Sequence, residues 1–396
     1  MRNRLLVTAM FGVACGWAGG ARGAPPVSYS MTDLGTLGGT QSQGLALNNL
    51  GQVTGDALTG GNACAQAFLY TPSAGMQSLG SLGAAPDENS WGYAVNGSGV
   101  VVGITSVPPA DQGSHGFTWS AGTGIVDLGT LPGDVVSDAL SINASGTVVG
   151  GSSPNATPLI GYRAVMWTSN GIVNLDSTIP HPAGITLIGG IVINDAGAIA
   201  ANGLGAPLAG QRRGTEHAYY VPPGGAAQDV GSLGGDTQPN AMNQDGEIAG
   251  QSILPNGDMH AVAWTRSGGL RDLGTLGGDN SSANGVNSAG WVVGSSEVLT
   301  NGPPYDHAFV DVAPATGPMI DLNSLVPPSG WTLSDATGIN DQNQIVCTGL
   351  GPSGDEHAFI LTPNPTPEPS TYALLGTAVA GLAGFAALRR QRPRQR

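Results

Sequence analysis

The sequence predicts an all-β fold, a seven-bladed β-propeller that is closed by an N-terminal strand. Three observations carry this prediction. One unit recurs seven times between residues 27 and 363, and each unit contains four short segments with the composition of strands. The array also begins with a segment of the fourth kind and ends with one of the third kind. Four short strands in a repeat of about 40 to 50 residues are typical of a propeller blade.

The clearest landmark of each unit is an asparagine that follows an apolar residue. Six units have glycine three residues later, and the seventh has Asn343 there. Asparagine and glycine in these places predict a type I turn between two strands, whose fourth residue is left-handed, a conformation that asparagine tolerates. Small residues before the turn, such as Ala46, and after it, such as Gly103, indicate strands that crowd near an axis. The asparagines lie 44 to 53 residues apart: Asn48, Asn96, Asn143, Asn194, Asn243, Asn287 and Asn340.

The third and fourth strands carry two further signatures. His-Ala-Phe-like segments mark the third strand, with histidine at His115, His217, His260, His307 and His357. Asp-Leu-Gly-like segments mark the fourth strand, with aspartate at Asp33, Asp127, Asp229, Asp272 and Asp321. The first strand, Val27 to Leu34, is of the fourth kind. We expect it to complete the last blade and to leave no open sheet edge there.

These segments resemble the HAF-repeat family of bacterial extracellular proteins, which is named for the His-Ala-Phe triplet. The resemblance spans nearly all of residues 27–361. The first and third copies depart from it, because Gln66 and Arg163 stand where the other copies have histidine. The resemblance implies an extracellular location and no particular activity.

Residues 1–23 have the order of a secretory signal peptide. Arg2 and Arg4 precede an apolar run from Leu5 to Ala18, and a small-residue zone follows, with cleavage expected after Gly23. A lipoprotein signal at Cys15 is the alternative. Either interpretation predicts an exported protein.

Residues 364–396 have the composition of a membrane tail. A proline-rich linker precedes an apolar run from Tyr372 to Leu388, which predicts a short transmembrane helix. A cluster of arginines follows and holds that end in the cytoplasm, with Arg389, Arg390 and Arg392 as its first members. A simple tail anchor is one interpretation of this pattern.

The triplet Pro367, Glu368 and Pro369 directly before the apolar run makes the tail resemble the PEP-CTERM sorting signal. That resemblance implies processing by exosortase, a membrane transpeptidase of Gram-negative bacteria that make exopolysaccharide. It implies that the protein is held at the inner membrane transiently, and that the tail is then removed near the triplet. The body would be released or attached at the cell surface, for example in a biofilm matrix.

Charge and cysteine content limit the partners of the body. All 13 basic residues of the chain are arginine. Only five of them lie between the two ends, against 26 acidic residues, which gives a net charge of about −21. Such a surface repels nucleic acid and attracts divalent cations. The body has two cysteines, Cys64 and Cys347, for which thiols are favoured over a disulfide that would lock the ring.

The repeated histidines and aspartates predict structural bonds and no catalytic or metal site. One histidine in each of five blades is too widely spaced to share an ion, so each is expected to bond a neighbouring loop in its own blade. Aspartates beside glycine are expected to bond turn amides. No cofactor is implied. Calcium stays open, with Asp335 and Asp341 near Asn340 as the closest approach to a site.

The composition and the repeats predict a non-enzymatic surface or matrix protein that binds exopolysaccharide or another surface protein. A secreted propeller enzyme acting on polysaccharide is the alternative. Its active site would lie in the irregular fourth copy, around His181 and residues 211–217. Histidine, glutamate or arginine clustered at one channel end would favour the enzyme. A ring of equivalent small residues would favour the binding protein.

Overall fold

The computed structural model describes residues 28–83, 88–107, 113–155, 161–206, 214–299, 305–312 and 318–364. These residues form seven four-stranded antiparallel sheets arranged around a central channel. The predicted seven-bladed β-propeller is therefore confirmed.

The first six blades each take four consecutive strands, and the first strand of every blade lies at the channel. Blade 1 contains β2 (Gly38–Leu47), β3 (Val53–Thr59), β4 (Ala65–Thr71) and β5 (Gly75–Ser78). Blade 2 contains β6 (Ser90–Val95), β7 (Val101–Ser106), β8 (Ser114–Ser120) and β9 (Gly124–Asp127). Blade 3 contains β10 (Val136–Ile142), β11 (Val148–Ser153), β12 (Arg163–Thr168) and β13 (Gly171–Asn174).

The remaining blades follow the same order. Blade 4 contains β14 (Ile185–Ile193), β15 (Ile199–Gly205), β16 (Glu216–Val221) and β17 (Gln228–Asp229). Blade 5 contains β18 (Thr237–Met242), β19 (Ile248–Ile253), β20 (Met259–Thr265) and β21 (Gly269–Gly274). Blade 6 contains β22 (Gly277–Val286), β23 (Val292–Val298), β24 (Tyr305–Asp311) and β25 (Ile320–Asp321). Short helical turns occupy Gly60–Asn62, Leu175–Thr178 and Leu322–Ser324.

Blade 7 joins the two ends of the body. It contains β26 (Thr332–Ile339), β27 (Ile345–Leu350), β28 (Glu356–Pro363) and, as its outermost strand, β1 (Tyr29–Asp33). Tyr29 pairs with Pro363 and Asp33 pairs with Phe359, so the strand is antiparallel to β28 along its whole length. The predicted closure by an N-terminal strand is confirmed. It leaves β28 with a hydrogen-bonded neighbour on each side.

Glycine in the second strand of most blades is explained by a bulge in the first strand. The bulge brings a first-strand carbonyl against the glycine: a Cβ on Gly103 would lie 1.8 Å from the carbonyl oxygen of Trp91. Blades 4 and 7 have a second irregularity beside this place, and there the strand carries Ala201 and Cys347 instead. The extra residue in the first strand relieves the crowding, so a side chain fits.

The core lies between blades. The phenylalanines of the His-Ala-Phe-like segments are buried completely or almost so, at Phe68, Phe117, Phe309 and Phe359. A buried serine in the first strand then ties each of several blades to the one before it. In one such pair Ser90 Oγ donates to the carbonyl of Gly80 at 2.6 Å and accepts from the N–H of Ala67 at 2.9 Å.

The connections define two faces of the ring. The turn face carries the asparagine turns between first and second strands and the hairpins between third and fourth strands. The loop face carries the connections from second to third strands and from each blade to the next. β1 begins, and β28 ends, at the turn face.

Candidate functional site

The seven landmark asparagines form a closed ring of hydrogen bonds around the channel. Each side-chain Nδ2 donates to the backbone carbonyl of the equivalent asparagine in the next blade, at 2.9–3.3 Å. The last bond runs from Asn340 back to Asn48 at 3.1 Å. The ring therefore closes across the join between the two ends of the chain.

The same side chains also hold the turns that the sequence predicts. In blade 1, Asn48 Oδ1 accepts from the N–H groups of Leu50 and Gln52 at 2.9 and 3.1 Å, and Gly51 donates its N–H to the Asn48 carbonyl. Asn343 has a positive φ of 58°, as its place in the seventh turn requires. Each asparagine thus fixes its own turn and the spacing to the next blade.

All five repeated histidines bond the repeated aspartates of their own blades. Nδ1 lies 2.6–3.0 Å from a carboxylate oxygen in the pairs His115–Asp127, His217–Asp229, His260–Asp272, His307–Asp321 and His357–Asp33. A carboxylate only accepts, so Nδ1 carries the hydrogen. The expected bond within the blade is confirmed, but its acceptor lies at the end of the adjacent strand and not in a neighbouring loop. The same aspartates bond the turn amides, as predicted; Asp127 Oδ1 accepts from the N–H of Gly129 at 2.7 Å.

The two copies without histidine replace the whole pair. In blade 1, Ser78 Oγ donates to Gln66 Oε1 at 2.6 Å and accepts from the N–H of Gly80. In blade 3, Arg163 bonds Asp134 instead of a fourth-strand side chain. Because two blades keep a polar side-chain bond without the histidine, the five His–Asp pairs have a structural role at the outer edge of the blades that contain them.

The channel contains a cavity of about 390 Å³ whose lining differs between its two sides. At one level the lining is small in six blades, at Ala46, Ala94, Ser141, Ala241, Gly285 and Gly338, and larger in blade 4, at Val192. One residue earlier, blades 1 to 4 contribute Leu45, Tyr93, Leu140 and Ile191, whereas blades 5 to 7 contribute Asn240, Asn284 and Thr337. The cavity thus has an apolar arc and an amide–hydroxyl arc.

A group of carboxylic acids and tyrosines lies on the loop-face side of this cavity, in or beside strands of blades 1, 2, 3 and 7. Asp138 of blade 3 bonds the Tyr162 hydroxyl and accepts the N–H of Gly151 at 2.8 Å. Tyr93 lies close enough to Asp138 and Asp56 for their charges to act on it. Gln43 links the group to blade 7 by donating to Glu356 at 3.0 Å. We call Asp56, Tyr93, Asp138, Tyr162 and Glu356 the acid–tyrosine cluster.

Burial raises the pKa of several of these groups. Burial and the nearby charge of Glu356 raise the pKa of Asp56 to about 6. Burial also raises the pKa of Asp138, although the Tyr162 and Gly151 bonds oppose it. Burial, with the charges of Asp138 and Asp56, raises the pKa of Tyr93 to about 12. At neutral pH the cluster therefore combines neutral phenols with the Asp56 carboxyl group, which accepts a proton in mild acid.

The acid–tyrosine cluster has no signature among the landmarks of the repeat. Its residues occupy places where the repeats differ: Asp56 corresponds to Ile104 in blade 2 and to Thr348 in blade 7. An alignment of the seven copies that looks for departures from the repeat, and not for its landmarks, would have found them.

The two acids considered for calcium do not meet. Asp335 bonds Asn284 at 2.8 Å on the loop-face side, while Asp341 bonds Asn49 and the N–H of Ser288 at the turn face. Within the described parts of the chain, no group of three or more histidine, cysteine, aspartate or glutamate side chains is placed to hold a metal ion.

The irregular fourth copy lies partly outside the described residues, because residues 207–213 do. His181 bonds the backbone carbonyls of Asp176 and Pro182, at 3.1 and 3.2 Å, and thus holds its own loop.

The cysteines form no disulfide: Cys347 is buried in the core of blade 7, and Cys64 Sγ lies 3.3 Å from Thr59 Oγ1. The expectation of thiols is met.

Both predicted targeting segments lie outside the described residues. These are the signal peptide at 1–23 and the tail from residue 365 on, with Pro367, Glu368, Pro369, the predicted transmembrane helix and Arg389, Arg390 and Arg392. No helix among the residues that the structure describes is long and apolar enough to cross a membrane.

Comparison with known protein families gives one match, at the C-terminus. Residues 365–391 match the model of the PEP-CTERM protein-sorting motif. This motif is a recognition signal for exosortase and indicates an exported, exosortase-processed protein of a Gram-negative bacterium. No curated protein matches the chain.

Several solved structures resemble the chain at low sequence identity. The β-propeller domain of the trilobed protease from Pyrococcus furiosus is 8% identical, with 88% of this chain and 99% of that one covered and a TM-score of 0.48. A puromycin hydrolase mutant is 13% identical, with 85% and 54% covered and a TM-score of 0.46. TolB from Acinetobacter baumannii is 9% identical, with 78% and 63% covered and a TM-score of 0.42. The chain thus spans less than two thirds of TolB.

Proposed function

We propose that the chain is a surface or matrix protein whose propeller binds a neutral stretch of exopolysaccharide in its channel without chemical reaction. It would be exported through residues 1–23, held by the tail at 364–396, and processed near Pro367, Glu368 and Pro369. The resemblance of residues 27–361 to HAF repeats supports an extracellular location for the propeller. A surface protein is the other partner that this interpretation allows.

The lining of the cavity carries the proposal. Small side chains line the channel at equivalent positions in most blades. A catalytic site would instead need a few residues that differ from blade to blade. The volume of about 390 Å³ lies within the range of small-ligand pockets, roughly 300–1,000 Å³. An apolar arc suits the C–H face of a sugar ring, and an amide–hydroxyl arc suits its hydroxyl groups. The acidic body disfavours an anionic glycan.

A glycan array probed with the processed protein tests the proposal. We expect binding to neutral oligosaccharides. The variant Leu140→Asn, in the apolar arc, should bind about tenfold more weakly, which corresponds to about 1.4 kcal/mol. Leu50→Asn is the matched control, because Leu50 is exposed on the turn face outside the cavity. Equal loss in both variants, or no glycan bound by the unsubstituted protein, contradicts the proposal.

The acid–tyrosine cluster supports a second candidate, an enzyme that hydrolyses polysaccharide. Asp56, with a pKa of about 6 beside Glu356, could donate a proton to a glycosidic oxygen in mild acid. Release of reducing ends from a bound polysaccharide, lost in Asp56→Asn, would favour this candidate. Binding without release of reducing ends between pH 5 and 7 would favour the first.

A further inference from the structure

The chain leaves the propeller at the turn face, close to the sorting motif. Asn364 follows the last strand, and it donates its N–H to the carbonyl of Ser28 at 3.0 Å and its side-chain Nδ2 to Ser28 Oγ at 2.8 Å. The last described residue is therefore tied to the first. Residues 365 and 366 alone separate it from Pro367. Three residues span at most about 11 Å, so the triplet cannot be farther than this from the turn-face rim of blade 7.

The charge of the propeller is divided between its faces. The loop-face connections and the strand ends beside them carry most of the described carboxylates, with Arg163 as the one described arginine there: Asp33, Glu88, Asp127, Asp134, Asp176, Glu216, Asp229, Asp236, Asp258, Asp272, Asp279, Glu297, Asp306, Asp321, Asp355 and Glu356. The turn face carries few described charges: Asp195, Asp245, Glu247, Asp311 and Asp341 against Arg266 and Arg271.

Most of the turn-face carboxylates are also engaged. Asp311 forms an ion pair with Arg271 at 3.0 Å. Asp195 and Asp341 accept backbone N–H groups from neighbouring blades, and Glu247 accepts from Asn243. The rest of this face consists mainly of amides, small residues and the exposed side chain of Leu50.

We propose that, before the tail is cut, the propeller stands on an anionic membrane surface with its turn face toward the lipid headgroups and its loop face away from them. This inference rests on the proposed tail, which places the triplet just outside the membrane. Strands of about seven residues separate the two faces by roughly 23 Å, which is twice the reach of the link to Pro367. Bringing the loop face to the membrane would also place its carboxylates against anionic lipids, which like-charge repulsion opposes.

In this orientation the loop face points away from the membrane, toward the exterior. The loop-face end of the channel, with the acid–tyrosine cluster, then stays open to external ligands while the protein is still membrane-held. The asparagine ring lies on the membrane side.

Energy transfer from the protein to the membrane tests the orientation. The chain with its tail, but without residues 1–23, which contain Cys15, is reconstituted in vesicles of phosphatidylethanolamine and phosphatidylglycerol that contain a lipid-linked acceptor. A donor dye is placed at Ser98→Cys on the turn face or at Gln41→Cys on the loop face; both positions are exposed, whereas Cys64 and Cys347 are buried. We expect clearly stronger transfer from position 98.

Flotation separates the possible failures. A chain that floats with the vesicles but shows equal transfer, or stronger transfer from position 41, overturns the orientation and leaves the sorting tail in place. A chain that does not float with the vesicles contradicts the membrane tail, and the orientation falls with it.

Processing in an exosortase-bearing host gives an independent measurement. The pair Leu50→Glu with Gln342→Glu adds charge to the turn face, and Leu299→Glu with Gln41→Glu adds the same charge to the loop face; all four side chains are exposed. We expect the turn-face pair to slow tail removal severalfold and the loop-face pair to leave it unchanged. Equal rates for both pairs contradict the orientation. An unprocessed wild-type chain instead contradicts the proposed sorting.

Discussion

At the scale of single residues, the repeat landmarks are residues that bond more than one partner. Each landmark asparagine accepts N–H groups of its own turn and donates to the next blade. Each repeated histidine bonds an aspartate that also holds a turn amide. The sequence predicted the local half of these contacts, because turn chemistry depends on neighbours along the chain. It could not predict the interblade half, whose partners lie 44 to 53 residues away in six bonds and 292 residues away in the bond that closes the ring.

The crowding of the second-strand glycine by the bulge in the first strand can be tested at Gly103. We expect Gly103→Ala to lower the free energy of unfolding by about 3 kcal/mol, the upper end for overpacking, because the new Cβ meets the Trp91 carbonyl and the Phe117 ring. The control is Cys347→Ala, at the same place in blade 7, where the first strand has an extra residue. Thermal unfolding of both variants checks the prediction. A Gly103→Ala variant as stable as Cys347→Ala would mean that the bulge does not crowd this position.

The His–Asp pair can be tested with a replacement that the chain itself contains. We expect His115→Gln and Asp127→Ser each to destabilise blade 2, and the double variant, which copies the Gln66–Ser78 pair of blade 1, to recover part of the loss. The coupling should be about 0.5–1 kcal/mol, since the pair is partly exposed. Additive single losses, with no recovery in the double variant, would show that the two side chains do not act as a pair.

The same pair predicts a pH dependence. Burial acts to raise the pKa of Asp127, but the bonds from His115 and from the N–H of Gly129 outweigh it, and the net pKa is lowered from 3.8. A lowered folded-state pKa stabilises the fold above the unfolded value, and this stabilisation is lost as the pH falls through the folded value. The wild type should have a larger free energy of unfolding than Asp127→Ser at neutral pH. We expect this difference to disappear as the pH falls below about 4 in acid unfolding series. A constant difference down to pH 2 would contradict this.

At the scale of elements, the blades were predictable because period and turn chemistry agree. The four strands recur in every copy, and the offset between the two ends of the array predicted closure by β1. The irregular blades were less predictable. The extra first-strand residues in blades 4 and 7 have no signature of their own, and they were visible only indirectly, as Ala201 and Cys347 in place of glycine.

Deletion of β1 tests the closure. Removing residues 28–34 exposes the edge of β28, removes the buried Tyr29 and breaks the bond between His357 and Asp33. We expect poor folding or aggregation, because an open strand edge recruits other chains. Truncation after Asn364 is the control and should leave folding unchanged, because it removes no strand of the described sheets. Equal melting temperatures of the two truncations would argue against a role of β1 in holding the ring.

At the scale of the whole molecule, the sequence predicted the ring and its destination better than the site. The triplet and the charges of the tail are local patterns, so they could be recognised without a fold. The lining of the channel could not be predicted from local patterns, because Leu45, Leu140 and Asn240 lie far apart in the chain and face one cavity only after the ring closes. The division of charge between the faces also emerges only from the fold, since the loop-face acids come from connections and strand ends that are spread between residues 33 and 356 of the chain.

Removal of the tail is the last prediction, and it concerns the route of the entire chain. Proline is poorly tolerated inside a helix, so Pro367 and Pro369 should keep the triplet extended and open to a membrane-embedded protease. The link of two residues from Asn364 then presents the triplet close beside a folded propeller that is already closed. We expect the mature protein from an exosortase-bearing host to lack Tyr372 to Arg396, and Glu368→Ala to stay membrane-held and unprocessed. Thr366→Ala, outside the triplet, should be processed like the wild type. Mass spectrometry of the surface and membrane fractions measures both outcomes, and recovery of intact tail peptides from the wild-type surface fraction would make the segment an ordinary anchor.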